Sequence, residues 1–140
     1  MWAPSRGIVP EIIIAILNMK ILLIIAHGSR HQEARQELQL LAEGVAELTT
    51  GRIDQAKLAF LEFDQPDIPT GLATCAEAGA ERVWVLPYFL NAGVHVKKHI
   101  PQEIAAARQL FPHTQFELLP HFGAHESIPS LIAELLSAKD

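Results

Sequence analysis

The chain has little cysteine: Cys75 is the only one among its 140 residues. A single cysteine excludes an internal disulfide framework and any Cys-x-x-Cys metal site. Because Cys75 lies in an alanine-rich stretch of helical character, we expect a small buried thiol there and not a nucleophile. The lack of disulfides favours a reducing compartment, so the expected location is the cytoplasm.

Basic residues are also scarce, with 11 Lys and Arg against 16 Asp and Glu and a net charge of −5. This balance, together with the absence of any Lys/Arg-rich run, argues against a nucleic-acid partner. The N-terminal apolar stretch is interrupted at Asn18 and Lys20, which leaves it short of the roughly 20 residues that span a bilayer. No A-x-A-like cleavage site follows it, so we expect neither a signal peptide nor a membrane partner.

The domain organisation follows from the same region. Met19 opens the first credible strand. We interpret residues 1–19 as an over-extended start or a dispensable N-terminal extension, and residues 20–140 as a single domain.

Motifs for nucleotide binding and for common hydrolases are missing. Neither G-x-x-x-x-G-K-[ST] nor G-x-G-x-x-G occurs, so no nucleotide cofactor is expected. The absence of G-x-S-x-G and H-E-x-x-H argues against a serine-hydrolase elbow and a helix-borne zinc protease site. A histidine phosphatase is a distant alternative, because Ala26 stands where an arginine would precede the His-Gly pair.

The chain does contain four short apolar runs that alternate with segments of helical periodicity. The first run, Ile21–Ala26, shows no polar alternation and is typical of a strand covered on both faces. The βαβαβαβα order predicts an α/β fold in which a four-stranded parallel sheet carries helices on both faces. The remaining strands are predicted at Ala56–Phe63, Val83–Leu86 and Phe116–Leu119.

Helix starts are predicted from local signals. Ser29 and Gln32 fit an S-x-x-Q capping box directly after the first strand. Pro66 and Pro101 are predicted to open the next two helices because proline is favoured in a first turn. The segment Tyr88–Lys98 is then left as a loop. The last helix is expected over Ser127–Ser137.

Histidines are abundant, and six of the seven fall in three of the four strand-to-helix loops. A parallel sheet brings those loops to one edge, where α/β proteins bind ligands. Gly28 lets the backbone turn sharply and approach a ligand after His27. Neutral imidazole binds transition metals and accepts protons near neutral pH. The six are His27, His31, His95, His99, His121 and His125.

Four motifs in order carry a family resemblance that covers nearly everything from Met19 onward. They are Ala26-His27-Gly28-Ser29-Arg30, Leu61-Glu62-Phe63 with Pro66, Pro87-Tyr88-Phe89-Leu90-x-x-Gly93-x-His95 followed by Ile100-Pro101, and Phe122-Gly123-x-His125. This set resembles the small sirohydrochlorin chelatases of the CbiX type. The family often has an acidic residue just before Ile-Pro, where this chain has His99. That departure either alters metal preference or matters little.

The resemblance implies a chelatase-like three-layer sandwich that acts as a homodimer. The implied reaction inserts a divalent metal into a sirohydrochlorin-type tetrapyrrole without ATP, with Co²⁺ expected and Fe²⁺ or Ni²⁺ as alternatives. His27 and His95 match the family's two site histidines, as metal ligands or as acceptors of pyrrolic protons. Glu62 is a third candidate ligand, and its alternative is an ordinary exposed carboxylate at a strand end.

The carboxylates of such a substrate require local basic groups, because a net charge of −5 repels them. Arg30 can pair with a carboxylate in bidentate fashion, and Lys97 and Lys98 follow His95 closely. The alternative for the two lysines is a solvated basic loop, and the apolar candidates could equally pack against a dimer mate. The candidate substrate-binding residues are Arg30, Phe89, Leu90, Gly93, Val94, Lys97 and Lys98.

Two other functions use the same residues. One is a non-catalytic metal-binding module built on the histidines. The other is a phosphate-handling hydrolase built on His27 and Arg30.

Overall fold

The computed structural model describes residue 10 and residues 18–137. The predicted extension over residues 1–19 therefore lies mostly outside the described residues. The elements in chain order are β1 (Lys20–Ala26), α1 (Gln32–Leu48), β2 (Gln55–Phe60), α2 (Ile68–Glu77), β3 (Arg82–Pro87), a π-helical turn (His95–His99), α3 (Ile100–Leu110), β4 (Gln115–Leu118), a 3₁₀ turn (Phe122–Ala124) and α4 (Ile128–Ser137).

The four strands form one parallel sheet in the order β2-β1-β3-β4, which confirms the predicted sheet. β1 is central, because Ile21 pairs with Gln55 of β2 on one side and with Val83 of β3 on the other. Residues 21–26 are all buried, as expected for a strand with neighbours on both sides and cover on both faces.

Helices cover both faces of this sheet, which confirms the three-layer arrangement. Alternate residues of β1 point to opposite faces. Ile21, Leu23 and Ile25 belong to a core completed by α2 and α3, whereas Leu22 and Ile24 pack with Ala42 of α1.

Cys75 of α2 belongs to the larger core and has no exposed surface. Burial raises the pKa of its thiol to about 11, because a low-dielectric surrounding disfavours the thiolate. The thiol is therefore a structural side chain, as the sequence predicts.

The predicted start of α1 at Ser29 is wrong, because the helix begins at Gln32 and His31 occupies the N-cap position without a side-chain cap. The Ser29 hydroxyl instead accepts a hydrogen bond from the backbone N–H of His31 at 3.0 Å. The N–H of Ser29 itself donates to a carboxylate oxygen of Asp64. These two bonds hold Ser29 in the loop and delay the helix.

The predicted role of Pro66 as the first residue of α2 is also wrong. β2 ends at Phe60, three residues earlier than predicted, and α2 begins at Ile68. Asp67 is the N-cap, and Pro69 is the proline of the first turn. The backbone N–H of Thr70 donates to Oδ1 of Asp67 at 2.9 Å, which fixes the helix start.

Replacing this cap, Asp67→Ala, should lower the free energy of unfolding by about 1 kcal/mol at neutral pH. Hydrogen bonds from the side chain and backbone of Thr70 lower the pKa of Asp67 below its ordinary value of 3.8. The charged cap therefore stabilises the fold above pH 3.8, and this contribution disappears as the pH falls through the lowered pKa. Urea unfolding at pH 7 and in stronger acid measures both effects.

Asp67→Asn is the matched control, since the amide oxygen still accepts from Thr70 without carrying a charge. It should unfold closer to the parent protein than Asp67→Ala does at pH 7. An alanine variant that loses the same stability at every pH would show that the carboxylate charge contributes nothing.

The prediction of a loop over Tyr88–Lys98 is wrong for the second half of this segment. Residues His95–His99 form a π-helical turn that continues directly into α3. Helix α3 thus starts at Ile100, and Pro101 lies within its first turn. The segment His-Val-Lys-Lys-His lacks an apolar stripe, so its sequence gave no periodic signal for a helix. Single π-helical turns occur frequently at functional sites.

Helix α4 is the least packed helix of the described chain. None of its residues is buried, and Leu135 and Leu136 are 69% and 70% exposed. Its observed start at Ile128 agrees with the predicted one to within one residue. Over residues 18–137, no helix combines the length and the apolar character needed to cross a bilayer.

Candidate metal and substrate site

The candidate site lies where the chain connections of two neighbouring strands leave the sheet on opposite faces. The connection after β1 leads to α1 on one face, and the connection after β3 leads to α3 on the other. Such a switch point opens a crevice beyond the carboxyl ends of the strands. His27 directly follows β1 and His95 begins the π-helical turn, so the crevice separates them. Their ring centroids are 6.4 Å apart and nearly perpendicular, at 76°.

Glu62 is brought to His27 because the pairing of β1 with β2 continues past the ends of both strands. The N–H of Leu61 donates to the carbonyl of Ala26 at 3.1 Å, and that of Glu62 donates to the carbonyl of His27 at 3.0 Å. As a result, Oε1 of Glu62 lies 3.2 Å from Nε2 of His27. Two of the three candidate metal ligands, His27 and Glu62, are therefore in contact.

The hydrogen-bonding pattern of His27 suits it to bind a cation. Its Nδ1 atom lies 3.3 Å from the carbonyl oxygen of Gly28, which only accepts hydrogen bonds. With the proton on Nδ1, the Nε2 lone pair faces the carboxylate of Glu62, so a proton or a metal ion must lie between the two acceptors. Two ligand atoms that each lie about 2.1 Å from a divalent ion are compatible with this separation.

The pair is an open site and not a closed metal cage. The side chains of His27 and Glu62 are 51% and 54% exposed. Within residues 18–137, no three His, Cys, Asp or Glu side chains converge closely enough to hold an ion among them. An ion held here would keep open coordination positions, as is required when a metal is handed on.

Gly28 makes the close contact between the two loops possible. Its φ of +100° favours glycine, and a Cβ atom at this position would lie 1.7 Å from the carbonyl oxygen of Glu62. Gly28 therefore lies close to the backbone of Glu62. The sequence predicts a close approach of Gly28 to a ligand instead.

Asp64, which the sequence reasoning missed, connects the same two loops through a hydrogen bond. Its buried carboxylate accepts the N–H of Ser29 through Oδ2 at 2.8 Å. Nε of Arg35 lies 3.1 Å from Oδ1, close enough for an ion pair but not aligned as a hydrogen bond. An aspartate just after a predicted strand gives no sequence signal that separates this role from a solvated loop residue.

Phe63 was named in the sequence only as part of the Leu61-Glu62-Phe63 motif, without a role of its own. Its φ of +67° is rare for an aromatic residue, the residue is 51% exposed, and its ring lies 6.2 Å from that of His27. Such conformations cluster at functional sites. The guanidinium of Arg30 lies 4.7 Å from the centre of the Phe63 ring, so a cation–π contact places this predicted carboxylate-binding group beside the site.

A cleft of about 510 Å³ is lined by His27, Glu62 and His95, whereas Arg30, Phe63 and Asp64 lie outside its lining. The cleft is lined by residues from both sides of the crevice, so a planar ligand that enters it would contact His27 and His95 at the same time. The lining residues are His27, Phe60, Leu61, Glu62, Asp67, Ile68, Pro69, His95, His99 and Glu103.

All of the predicted substrate-binding residues, including Arg30, lie outside this lining. Phe89 is partly buried against the larger core. Leu90 and Val94 are 67% and 53% exposed, and Gly93 has open space around it. Lys97 and Lys98 are exposed on the π-helical turn, next to the cleft in sequence.

The predicted convergence of three histidine-bearing loops is wrong for the third loop. His121 and His125 line a separate cleft of about 480 Å³ together with Leu86, Leu119 and Phe122. Nδ1 of His125 accepts the N–H of Ser127 at 3.0 Å, so this histidine caps the turn that leads into α4.

The Phe122-Gly123 motif supports the loop that precedes His95. The N–H of Gly123 donates to the carbonyl of Phe89 at 2.9 Å, and a Cβ on Gly123 would lie 1.8 Å from the carbonyl oxygen of Leu90. The rings of Tyr88 and Phe122 meet edge to face at 5.3 Å. This motif is therefore structural.

Comparison with known proteins places the chain in a family. The CbiX family model matches residues 21–139. The fold is shared with a CbiX protein from Marinobacter aquaeolei VT8, at a TM-score of 0.67 and 24% identity over 86% of this chain and 96% of that one. The chain belongs to the CbiX family.

Named relatives differ in their metal. The chain is 32% identical to a sirohydrochlorin cobaltochelatase from Priestia megaterium over 77% of its own length and 34% of the relative's. It is 30% identical to a sirohydrochlorin ferrochelatase from Bacillus subtilis (strain 168) over 76% and 40%. It also matches the sirohydrochlorin chelatase SirB from Bacillus subtilis subspecies spizizenii, solved in complex with cobalt, at a TM-score of 0.70 and 28% identity over 86% of this chain and 50% of that one. The chain thus spans between a third and two fifths of the length of these two curated relatives.

Proposed function

We propose that the protein is a sirohydrochlorin chelatase that inserts a divalent metal, Co²⁺ in the first place, into a sirohydrochlorin-type tetrapyrrole without nucleotide hydrolysis. The observation that carries this proposal is the pair of acceptor atoms 3.2 Å apart on His27 and Glu62, facing His95 across the crevice. The names of the relatives support both cobalt and iron, so Fe²⁺ is the alternative metal. Nothing supports Ni²⁺.

The reaction requires that the metal exchange its water for four pyrrole nitrogens and that two N–H protons leave. His27 and Glu62 hold the incoming metal and remove part of its hydration shell. A nitrogen bound to metal cannot also accept a proton, so the roles divide between the two sides of the crevice. His95, whose ring lies 6.4 Å from that of His27, accepts one pyrrolic proton from the opposite side of the crevice, and the second proton leaves to water in the open cleft.

The substrate carboxylates are bound by basic groups beside the cleft. Arg30 is held by the ring of Phe63, and Lys97 and Lys98 stand on the turn that carries His95. These charges overcome the repulsion from a protein of net charge −5. The apolar candidates Leu90 and Val94 are exposed and are assigned to contacts with the ring or with a second subunit.

The double replacement Lys97→Ala with Lys98→Ala should raise KM for sirohydrochlorin about tenfold and leave kcat nearly unchanged. Exposed charges contribute mainly to ground-state docking, which appears as uniform binding. Steady-state kinetics at low and high salt measures the effect, because screening should weaken it in the parent protein. A fall in kcat at constant KM would contradict the docking role.

The protein should act as a homodimer. Helix α1 packs on one face of the sheet and covers the half of that face formed by β1 and β2. On the other half of the same face, the side chains of Trp84, Leu86 and Leu119 are only partly buried. A ten-residue helix such as α4, with exposed leucines, is not stable on its own. We therefore assign the cover of this half-face to α4 of a second copy, in a twofold exchange. A monomer in sedimentation at assay concentrations would contradict the assignment.

An anaerobic assay with sirohydrochlorin and Co²⁺, Fe²⁺ or Ni²⁺ in parallel tests the function. The absorption spectrum of the tetrapyrrole should change fastest with Co²⁺ and should not require ATP. Metal binding with no effect on the spectrum beyond the uncatalysed rate would instead favour the metal-binding module.

A further inference from the structure

His95 and His99 form a direct hydrogen bond between their rings. Their Nδ1 atoms are 2.7 Å apart, and the ring centroids are separated by 4.7 Å. Two ring nitrogens at this distance share one hydrogen, so one imidazole donates its Nδ1–H and the other accepts at Nδ1. The tautomer of each ring is therefore determined by the other ring.

We propose that His99 is a positioning residue that accepts the Nδ1–H of His95 and so keeps the Nε2 lone pair of His95 free to accept a proton. This assignment rests on the proposed function, which requires a free ring nitrogen on His95. In the opposite arrangement, His95 would carry its hydrogen on Nε2 and present no acceptor from that atom. Second partners of this kind fix the tautomer and orientation of metal-binding histidines.

The surroundings of His99 are consistent with this direction of the bond. When His99 accepts at Nδ1, its own hydrogen lies on Nε2 and requires an acceptor. Glu103 follows His99 by four residues on the same helical segment and lines the same cleft. The carboxylate of Glu103 makes no direct hydrogen bond to the His99 ring, and because His99 is exposed, water supplies that acceptor.

Both rings are held on a rigid element and not on a loop. The π-helical turn continues into α3, where Ile100 and Ile104 are 0% and 1% exposed in the core. The backbone N–H of Lys97 also donates to the carbonyl of Gly93 at 3.0 Å, which fixes the start of the turn. Groups carried by rigid elements keep the geometry that positioning requires.

The test compares His99→Phe, which removes the acceptor, with His99→Asp, which retains one. Long-range ¹H–¹⁵N spectra of the metal-free protein should show His95 in the Nδ1–H tautomer in the parent and in His99→Asp. In His99→Phe this signature should be lost. The kcat of Co²⁺ insertion into sirohydrochlorin should fall about 10- to 100-fold in His99→Phe and recover to within a few-fold in His99→Asp. Affinity for Co²⁺ alone, measured by titration calorimetry, should stay close to that of the parent, because His27 and Glu62 are unchanged.

His121→Phe is the matched control, because His121 lies in the separate cleft. It should insert Co²⁺ with the kcat of the parent. An Nε2–H tautomer for His95 in the parent, or a parent-like kcat in His99→Phe, would overturn the proposal. Since His99 is exposed, circular dichroism should report an unchanged fold in both variants.

The two proposals fail in different ways. An Nδ1–H tautomer of His95 that is lost in His99→Phe, without any metal insertion into sirohydrochlorin by the parent, would reject the chelatase function and keep the role of His99. Metal insertion by the parent that proceeds equally well in His99→Phe would reject the role of His99 alone.

Discussion

Replacing His95 with alanine should reduce kcat for metal insertion by at least about 100-fold, and replacing His27 should have an effect of similar size. A positioned acid–base group contributes about 10²- to 10⁴-fold to a reaction. The two losses should differ in kind, because His27 binds the metal together with Glu62 whereas His95 accepts a proton across the crevice. His27→Ala should therefore also weaken Co²⁺ binding strongly.

Steady-state rates at varied Co²⁺ and sirohydrochlorin separate the two effects. His31→Ala is a suitable control, since this exposed histidine follows the same strand but lies outside the cleft. The midpoint of thermal unfolding should remain close to that of the parent in all three variants, because none of the three positions is buried. Parent-like rates in both site variants would reject the assignment of the site.

Gly28→Ala should have the largest effect on stability, lowering the free energy of unfolding by about 2–4 kcal/mol. The added Cβ would lie 1.7 Å from the carbonyl oxygen of Glu62, and the φ of +100° disfavours any side chain. Relief requires the two loops to part, which breaks the 3.0 Å bond from the N–H of Glu62 to the carbonyl of His27. Metal binding should therefore be lost along with stability.

Gly44→Ala is the matched control within α1. Apart from the two neighbouring residues and the backbone of its own helix, no atom lies within 4 Å of a Cβ at this position, and alanine is favoured over glycine inside a helix. It should raise the free energy of unfolding by about 0.5–1 kcal/mol. Urea unfolding measures the free energy of unfolding of both variants. An equally small change in this free energy for Gly28→Ala and Gly44→Ala would show that the backbone contact at Gly28 does not constrain the site.

The sheet could be predicted from the sequence because parallel strands covered on both faces consist of uninterrupted apolar residues. Ile21–Ala26 alone is distinctive, since six apolar residues without alternation fit a central parallel strand. The order β2-β1-β3-β4 is not encoded in any local pattern. The position of the crevice between β1 and β3 therefore could be expected only as an edge of the sheet, not as a particular pair of strands.

The site could be predicted from the sequence only in part. His27 and Glu62 follow strands, so their placement at one edge followed from the topology, but their contact depends on backbone pairing beyond both strand ends. The bond between His95 and His99 requires the π-helical turn, which the apolar pattern does not reveal. The strained Phe63 has no sequence signature, since residues forced to positive φ by their surroundings look ordinary in sequence.

Histidine number alone was a misleading guide in the loop after β4. His125 caps a backbone N–H and His121 lines another cleft, although both occupy the predicted edge of the sheet. An edge of a four-stranded sheet is wide enough for two separate clefts. A loop at that edge therefore need not contribute to the site between β1 and β3.

The central claim is that His27 and Glu62 hold one divalent ion that faces His95. Anomalous diffraction from crystals loaded with Co²⁺ tests it most directly. We predict one principal cobalt peak, about 2.0–2.2 Å from Nε2 of His27 and from an Oε atom of Glu62. A principal peak at His121 and His125, with none beside His27, would contradict the account.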